Sequence, residues 1–521
     1  MTRAQRDTTD TGLGTLAAAD ERPAVIEPGR GSLSYAELDR LADRVAGRLL
    51  RLGAEPGDRV GIYMRRSADA IAIMLGALRA GCTYVPVDPT APVERNLEIH
   101  SDCRVRVALV EERFAGAYRE ASTRLGASIG VEAIDEVGVG RAVGDWAAGA
   151  EGAKYRTETT ASPDDLALIL YTSGSTGRHK GWMMTRGAIQ AHARWCHDLL
   201  QPGARDVFAN HAPFSFGMSL FDIYSSLGCG AALVLVPDEI RAFSSHVVEL
   251  LSRERVTIWF SGPAILSLIG GLDDLESRDL SALRVVAFAG EVFPAPRLQP
   301  LRRRLTHPRY FNFYGSTETN VAAYYELPPG LDLEAPPPIG RPCAHYEARV
   351  VGSDGRPAAV SEVGELQFRG VGLTTGYINQ PELTAERIIA SDDGGMPWYR
   401  TCDLAVSEPG GEMRYVGRIG RMVKLRGYRV EPGEIEARLY QNPHVKEAAV
   451  VAFEGARGLQ LVAHLSGERR PVVELKAFCS VKLPAYMIPE RFVFHTSLPR
   501  TARGKIDFDA LRAQSAPEAK S

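Results

Sequence analysis

The sequence predicts an α/β architecture with largely parallel sheets, divided into more than one folding unit. Strand-like and helix-like apolar patterns alternate along its N-terminal half, as connected parallel strands require. At 521 residues the chain exceeds what a single hydrophobic core supports. The pattern then changes twice, near residue 340 and again after 416. The polar start MTRAQRDTTDTG carries no signal-peptide pattern, and residues 1–20 read as a disordered tail. LSYAELDRLADRVAGRLLRLG (33–53) spaces Leu, Ala and Val as one face of a helix and stops at Gly53. DRVGIYM (58–64) reads as a strand and ADAIAIMLGALRAG (68–81) as a mostly buried helix. DLALILYT (165–172), AALVLVP (231–237), VTIWFS (256–261) and LRVVAFAG (283–290) are further strands. From 340 to 416, short strands between glycine turns suggest a β subdomain. Beyond GRIGRM (417–422), the helix start EPGEIEARLY, the strand KEAAVVAFE and a second helix suggest a small α+β unit.

Composition narrows the function. Hydrophobic residues at 45% and charged residues at 24% suit a soluble globular protein, expected in the cytoplasm. The net charge of −3, with signs interspersed, offers no footprint for nucleic acid or an anionic membrane. Seven cysteines without a C-x-x-C pair, and eleven histidines without ligand spacing, indicate neither a disulfide framework nor a zinc site. No apolar run approaches a membrane span.

The chemistry begins at TSGSTGRHKGWMM (172–184), between the strand ending at Tyr171 and the helix-like RGAIQAHARW. Three glycines, four hydroxyls and a closing lysine are what a backbone cradle for polyphosphate needs. A P-loop requires Gly immediately before Lys and Ser or Thr after it. Here Lys180 stands between His179 and Gly181, so that motif is excluded.

YTSGSTGRHKG (171–181) resembles the phosphate loop of the adenylate-forming superfamily of acyl-CoA synthetases, luciferases and amino-acid adenylation domains. Four further motifs follow in the family's order: NFYGSTETN (312–320), YRTCDL (399–404), GRIGRMVKLRGYRVEPGEIE (417–436) and LPRTARGKID (498–507). AGCTYVPVDPTAPVERN (80–96) is most similar to the amino-acid adenylation branch. The resemblance implies an adenylation-domain fold, with a core over 21–417, a hinge at 418–420 and a mobile C-terminal lid over 421–521. It implies ATP and Mg²⁺ as cofactors. A carboxylate attacks the ATP α-phosphate to give acyl-AMP and pyrophosphate, and a thiol then takes the acyl group.

By the same resemblance, Lys505 bridges the carboxylate and α-phosphate oxygens, Glu318 holds Mg²⁺, Thr317 lies near the phosphates and Tyr314 stacks on adenine beside Gly315. Asp403 accepts from the ribose hydroxyls, with Arg418 beside it. Thr172, Ser173, Gly174, Ser175, Thr176, Gly177 and Lys180 serve the pyrophosphate side. His179 and Ser316 replace common prolines, Cys402 a common glycine, and Gly420 the usual hinge Asp or Lys. Lys424 and RGYRV (426–430) belong to the face turned inward for thiolation. His211 matches a gating position, or is a packed histidine.

The substrate segment FSFGMSLFDIY (214–224) departs from the amino-acid-activating pattern. Those relatives carry an aspartate for the α-ammonium where this chain has Gly217. Asp222 follows five residues later and, on a helix, shares a face with Met218, Phe221 and Ser225. It either pairs with an ammonium one carbon further from the carboxylate or is a structural hydrogen-bonding group. Leu220, Phe260, Ala287, Ala289, Gly290, Phe313, Val321 and Ala322 match pocket-lining positions and suit a small aliphatic chain. The whole pattern resembles free-standing β-amino-acid-adenylating enzymes of macrolactam polyketide pathways, which implies an acyl carrier protein acting in trans. An aryl or fatty acid substrate, an α-amino acid, and a nucleotide-binding module without turnover are the alternatives.

Overall fold

A computed structural model describes residues 16, 20–135, 138–149, 161–172, 179–330, 333–455, 458–500 and 506–515. A six-stranded sheet runs in the order Gly130–Ile134, Val107–Glu111, Arg59–Tyr63, Thr83–Pro86, Leu166–Thr172, Lys180–Thr185. Its neighbours are parallel except for the last pair. A nine-stranded sheet has six consecutive parallel strands: Arg309–Tyr314, Val285–Phe288, Ile258–Ser261, Val207–Asn210, Ala232–Leu235 and Pro23–Glu27. An antiparallel sheet is built on Tyr346–Val351, Gly364–Gly370 and Trp398–Ser407. After it come a short hairpin, Val423–Leu425 with Tyr428–Val430, and a three-stranded sheet of Val445–Gly455, Gly458–Gly467 and Arg491–His495.

The expected α/β class therefore holds, with the β subdomain and the C-terminal α+β unit both present. Part of the expected tail differs: Leu16 belongs to the core, and the Asp20 carbonyl accepts from Ala36 N–H. Among the described residues, no helix is long and apolar enough to cross a membrane.

Strand alternation decides which side chains can reach a site between the sheets. Phe260, Ala287, Phe311 and Phe313 enter the central cluster shared with Leu168, Leu170 and Tyr84. Their neighbours Trp259, Val286, Phe288 and Tyr310 point into a second cluster on the opposite face. This is the period-two alternation of a sheet covered on both sides.

The helix Tyr35–Arg51 starts with a capping box, Ser34 accepting from Glu37 N–H while the Glu37 carboxylate accepts from Ser34 N–H. It packs against Ala68–Arg79 so closely that a β-carbon on Gly76 would lie 2.4 Å from Val45 Cγ1 and 2.9 Å from the Ala42 carbonyl. Propensity and packing therefore make opposite predictions. Alanine in an exposed helix interior gains about 1 kcal/mol over glycine, whereas overpacking costs about 1–3 kcal/mol. Gly76→Ala should lower the urea midpoint; a rise would show that these helices part freely.

Candidate active site

The phosphate-loop lysine sits on a hairpin. Leu166–Thr172 pairs antiparallel with Lys180–Thr185, bringing Thr172 opposite Lys180. GWMM, expected to belong to the loop, is strand because Trp182 and Met184 are buried on alternate positions. Ser173, Gly174, Ser175, Thr176 and Gly177 lie outside the described residues, as does Lys505. Thr172 Oγ1 is buried with no hydrogen-bond partner among the described residues. Lys180 is 4% exposed; burial first, and then the Arg429 guanidinium, hold its pKa below the usual lysine value.

Tyr314 ends the strand Arg309–Tyr314 and donates from its hydroxyl to Asp403 Oδ2 at 2.5 Å. Arg418, opposite Asp403 across the ladder, donates to Oδ1 at 2.7 Å. Each Asp403 oxygen keeps a lone pair, so the carboxylate can still accept from a diol. It lines, with Tyr314 and Arg418, a cavity of about 810 Å³. Cys402 has φ of 59°, which accounts for the glycine common at this position: the left-handed backbone is needed to turn the next residue inward. Gly315 is likewise required, since a β-carbon there would lie 1.5 Å from the Asn320 carbonyl oxygen.

Glu318 has no solvent exposure. Its Oε1 accepts from the Tyr377 hydroxyl at 2.8 Å, and Arg429 Nη1 lies 2.8 Å from Oε1 and 3.1 Å from Oε2. Burial opposes ionisation, but Arg429 and the Tyr377 hydroxyl outweigh it and hold the carboxyl well below the usual range. A single carboxylate oxygen set suits Mg²⁺, which takes one or two protein carboxylates together with substrate phosphates.

Arg429 comes from the C-terminal hairpin. Arg426 and Gly427, its two loop residues, both have positive φ, as a type I′ turn requires. Gly427 N–H donates to Glu291, and Lys424 Nζ reaches the Gly315 carbonyl at 3.4 Å. Behind the hairpin, Arg95 and Glu434 form a buried pair at 2.6 Å, and Lys482 meets Glu98 at 2.8 Å. A second cavity of about 100 Å³ is walled by Thr172, Thr317, Arg95, Arg418, Lys424 and Arg429, among others. Such a concentration of cations favours polyanions.

The same cavity is lined by Gly217, Met218, Phe260, Ala289, Gly290 and Val321. Leu220, Phe221, Ala287, Ala322 and Asp222 stand in the buried layer behind it, and Phe313 lines the larger cavity instead. The helix Met218–Cys229 is buried from Ser219 to Leu227, so its inner face is covered too. Gly217 at its head has room: a β-carbon would meet nothing nearer than Trp182 at 4.0 Å.

Asp222, one turn beyond Met218, is 1% exposed. Its Oδ2 accepts from Asn210 Nδ2 at 3.0 Å, while Oδ1 has no partner among the described residues. Burial pushes its pKa well above the usual carboxylate value, and Asn210 and Arg66 offset this only in part. His211 is packed: its Nε2–H donates to the Arg241 carbonyl, leaving Nδ1 to accept from Ser261. Burial lowers its pKa to about 4.

Sequence reasoning missed Tyr377, Arg95 and Asn210. Their partners lie 59, 339 and 12 residues away, so no local pattern marks them. Arg429 and its partner Glu318 each stood within a quoted motif, but nothing local joined the two motifs across the unit boundary.

Residues 15–378 match the family model for the AMP-binding enzyme and residues 434–505 that for the AMP-binding enzyme C-terminal domain. The chain is 37% identical over 517 residues to an L-proline–[L-prolyl-carrier protein] ligase of Streptomyces coelicolor, covering 96% of each. The solved structure of IdnL1 is 30% identical with a TM-score of 0.74, covering 92% of this chain and 94% of that one. NpsA-ThdA, a fused adenylation–PCP di-domain from Klebsiella oxytoca, is 26% identical with a TM-score of 0.77, covering 91% and 90%.

The raised pKa of Asp222 gives a stability signature. An acid whose folded pKa lies above its unfolded value of about 3.9 costs stability increasingly as pH rises between the two. Asp222→Asn should therefore denature at higher urea than wild type at pH 8, with the gap narrowing toward pH 5. A gap independent of pH would mean that Asp222 is not held in this environment.

Proposed function

The chain belongs to the AMP-binding enzyme family of ATP-dependent, AMP-forming ligases that use ATP with Mg²⁺, and we propose that its substrate is a small aliphatic β-amino acid, of the size of 3-aminobutanoate. In this reading the enzyme forms the aminoacyl-AMP and passes the acyl group to the phosphopantetheine thiol of an acyl carrier protein supplied in trans. The carrier acceptor is supported by the carrier-protein ligase relative and the adenylation–PCP structure.

The carrying observation is the pairing of an open Gly217 with a buried Asp222 whose Oδ1 lacks a partner among the described residues. Asp222 lies behind the cavity wall, so an ammonium reaches Oδ1 only where Gly217 leaves that wall open, and there it supplies the charge and the donor that this oxygen lacks. Set one helical turn beyond Met218, the acid suits an amino group displaced from the α-carbon. The apolar wall of Met218, Phe260, Ala289 and Val321 suits a short side chain.

The substrate carboxylate attacks the ATP α-phosphate, pyrophosphate leaves, and the carrier thiolate then displaces AMP from the acyl carbon. Attack by one anion on another depends on positioning and charge neutralisation. Lys505 bridges the carboxylate and α-phosphate oxygens. Thr172, Thr317 and Lys180 would serve the phosphates, and Asp403 with Tyr314 and Arg418 would bind the nucleoside. Glu318 would hold Mg²⁺, which neutralises phosphate charge when bound. Residues 418–420 serve as the hinge between a core over 21–417 and a lid over 421–521. At Gly420, φ of 100° favours glycine there.

ATP–pyrophosphate exchange with 3-aminobutanoate, β-alanine, 2-aminobutanoate, L-proline, butanoate and benzoate tests the assignment. Exchange should be strongest with 3-aminobutanoate. Asp222→Ala should lower kcat/KM for it by roughly two to three orders of magnitude, the cost of stripping one partner from a buried pair. A preference for 2-aminobutanoate or L-proline, or a loss below tenfold, returns Asp222 to a structural role.

A further inference from the structure

Asn320 closes the loop 315–320 with a left-handed backbone, at φ of 51°. Its Nδ2 is buried and has no hydrogen-bond partner among the described residues. An amide donor shut away from water costs free energy until an acceptor reaches it. The residue also lines the cavity of about 100 Å³, so an acceptor can come from what that cavity takes in. Its place on the chain says which one. Thr317 stands with the cavity's cations, whereas Val321 belongs to its apolar wall with Met218 and Phe260. The group that joins a nucleotide to an apolar acyl chain is the carboxylate being activated. We propose that the Asn320 amide donates to the carboxylate oxygen that does not attack phosphorus, and stays with this oxygen through both half-reactions. This rests on the reading that an acid is adenylated in this cavity.

One carboxylate oxygen bonds to the α-phosphorus as the bond to pyrophosphate breaks, and that electron pair leaves with pyrophosphate. The other oxygen, held by Asn320, becomes the acyl carbonyl. It loses charge in this step, so the amide orients the acid without lowering the barrier. In the second step the carrier thiolate, its proton already given to solvent, bonds to the acyl carbon. The carbonyl pair moves onto the held oxygen and returns as the bond to AMP breaks. Charge now grows at the oxygen the amide holds, which is the condition for a donor to speed a reaction. The donor's backbone is fixed beforehand. The Asn320 carbonyl fills the space of a Gly315 β-carbon, Ala322 N–H donates to the Tyr314 carbonyl at 2.8 Å, and Ser316 N–H to Thr319 Oγ1 at 3.0 Å.

Asparagine tolerates positive φ, so the backbone alone would account for its place. Asn320→Gly keeps that backbone and removes the amide; Asn320→Ala removes the amide and strains the backbone as well. Two stable analogues read the contact: 3-aminobutanoyl-sulfamoyl adenosine, which has the carbonyl, and 3-aminobutyl-AMP, which has a methylene in its place. Both variants should bind the first about tenfold more weakly than wild type, the scale of one hydrogen bond, and the second equally well. Only Asn320→Ala should also lower the urea midpoint. With Asn320→Gly, thiolysis of preformed 3-aminobutanoyl-AMP should slow about a hundredfold, while pyrophosphate exchange shows a raised KM and little change in kcat. If Asn320→Gly weakens both analogues alike, or neither, the donor assignment falls and the substrate reading stands. If wild type prefers another acid in pyrophosphate exchange, the substrate reading falls, and the same pair of analogues built on that acid decides Asn320.

Discussion

A carboxylate with no solvent exposure stays charged only where the fold supplies its counter-charge, and Glu318 shows how much architecture that demands. Its partners come from three places: the loop 315–320 that carries it, Tyr377 in the connection between Gly364–Gly370 and Trp398–Ser407, and Arg429 on the C-terminal hairpin. Tight packing of the loop depends on Gly315, where any side chain would strike the Asn320 carbonyl. Arg429 reaches inward only because a two-residue turn with positive φ at Arg426 and Gly427 folds the hairpin back. Core and C-terminal unit are therefore joined at a charge fully removed from water.

Two buried acids make an instructive contrast. Glu318 and Asp222 are both removed from water, yet their carboxyls shift in opposite directions. The difference is partner supply: Glu318 has a guanidinium and a phenol, whereas Asp222 has one amide. A satisfied acid holds structure together; an unsatisfied one stores a penalty that a cationic ligand relieves. Asp403 is held by Tyr314 and Arg418 while still lining the larger cavity.

The helices and strands were legible locally because their apolar periods are strong. Tyr35–Arg51 and Ala68–Arg79 ended where Gly53 and Gly81 turn the chain with positive φ. Two local readings failed for tertiary reasons. GWMM became strand once Trp182 found a buried place, and Leu16 joined the core although the start of the chain reads as a tail. Of the expected pocket, the residues at strand and helix ends line the cavity, whereas Phe221, Ala287 and Asp222 stand one layer behind. Motif matching specifies which elements meet at a pocket, but not how deep each side chain sits.

The sequence by itself determined the α/β class, the order of the motifs and the residue types of a nucleotide site. All of these are properties of neighbours along the chain: period, glycine placement, a lysine beside hydroxyls. Only the tertiary structure decided that Arg429 meets Glu318, that Arg95 meets Glu434, and that Asp222 keeps an oxygen without a partner. Those outcomes depend on contacts between residues far apart in the chain and on exclusion of water, which come into being only when sheets and hairpin close around the same buried charges.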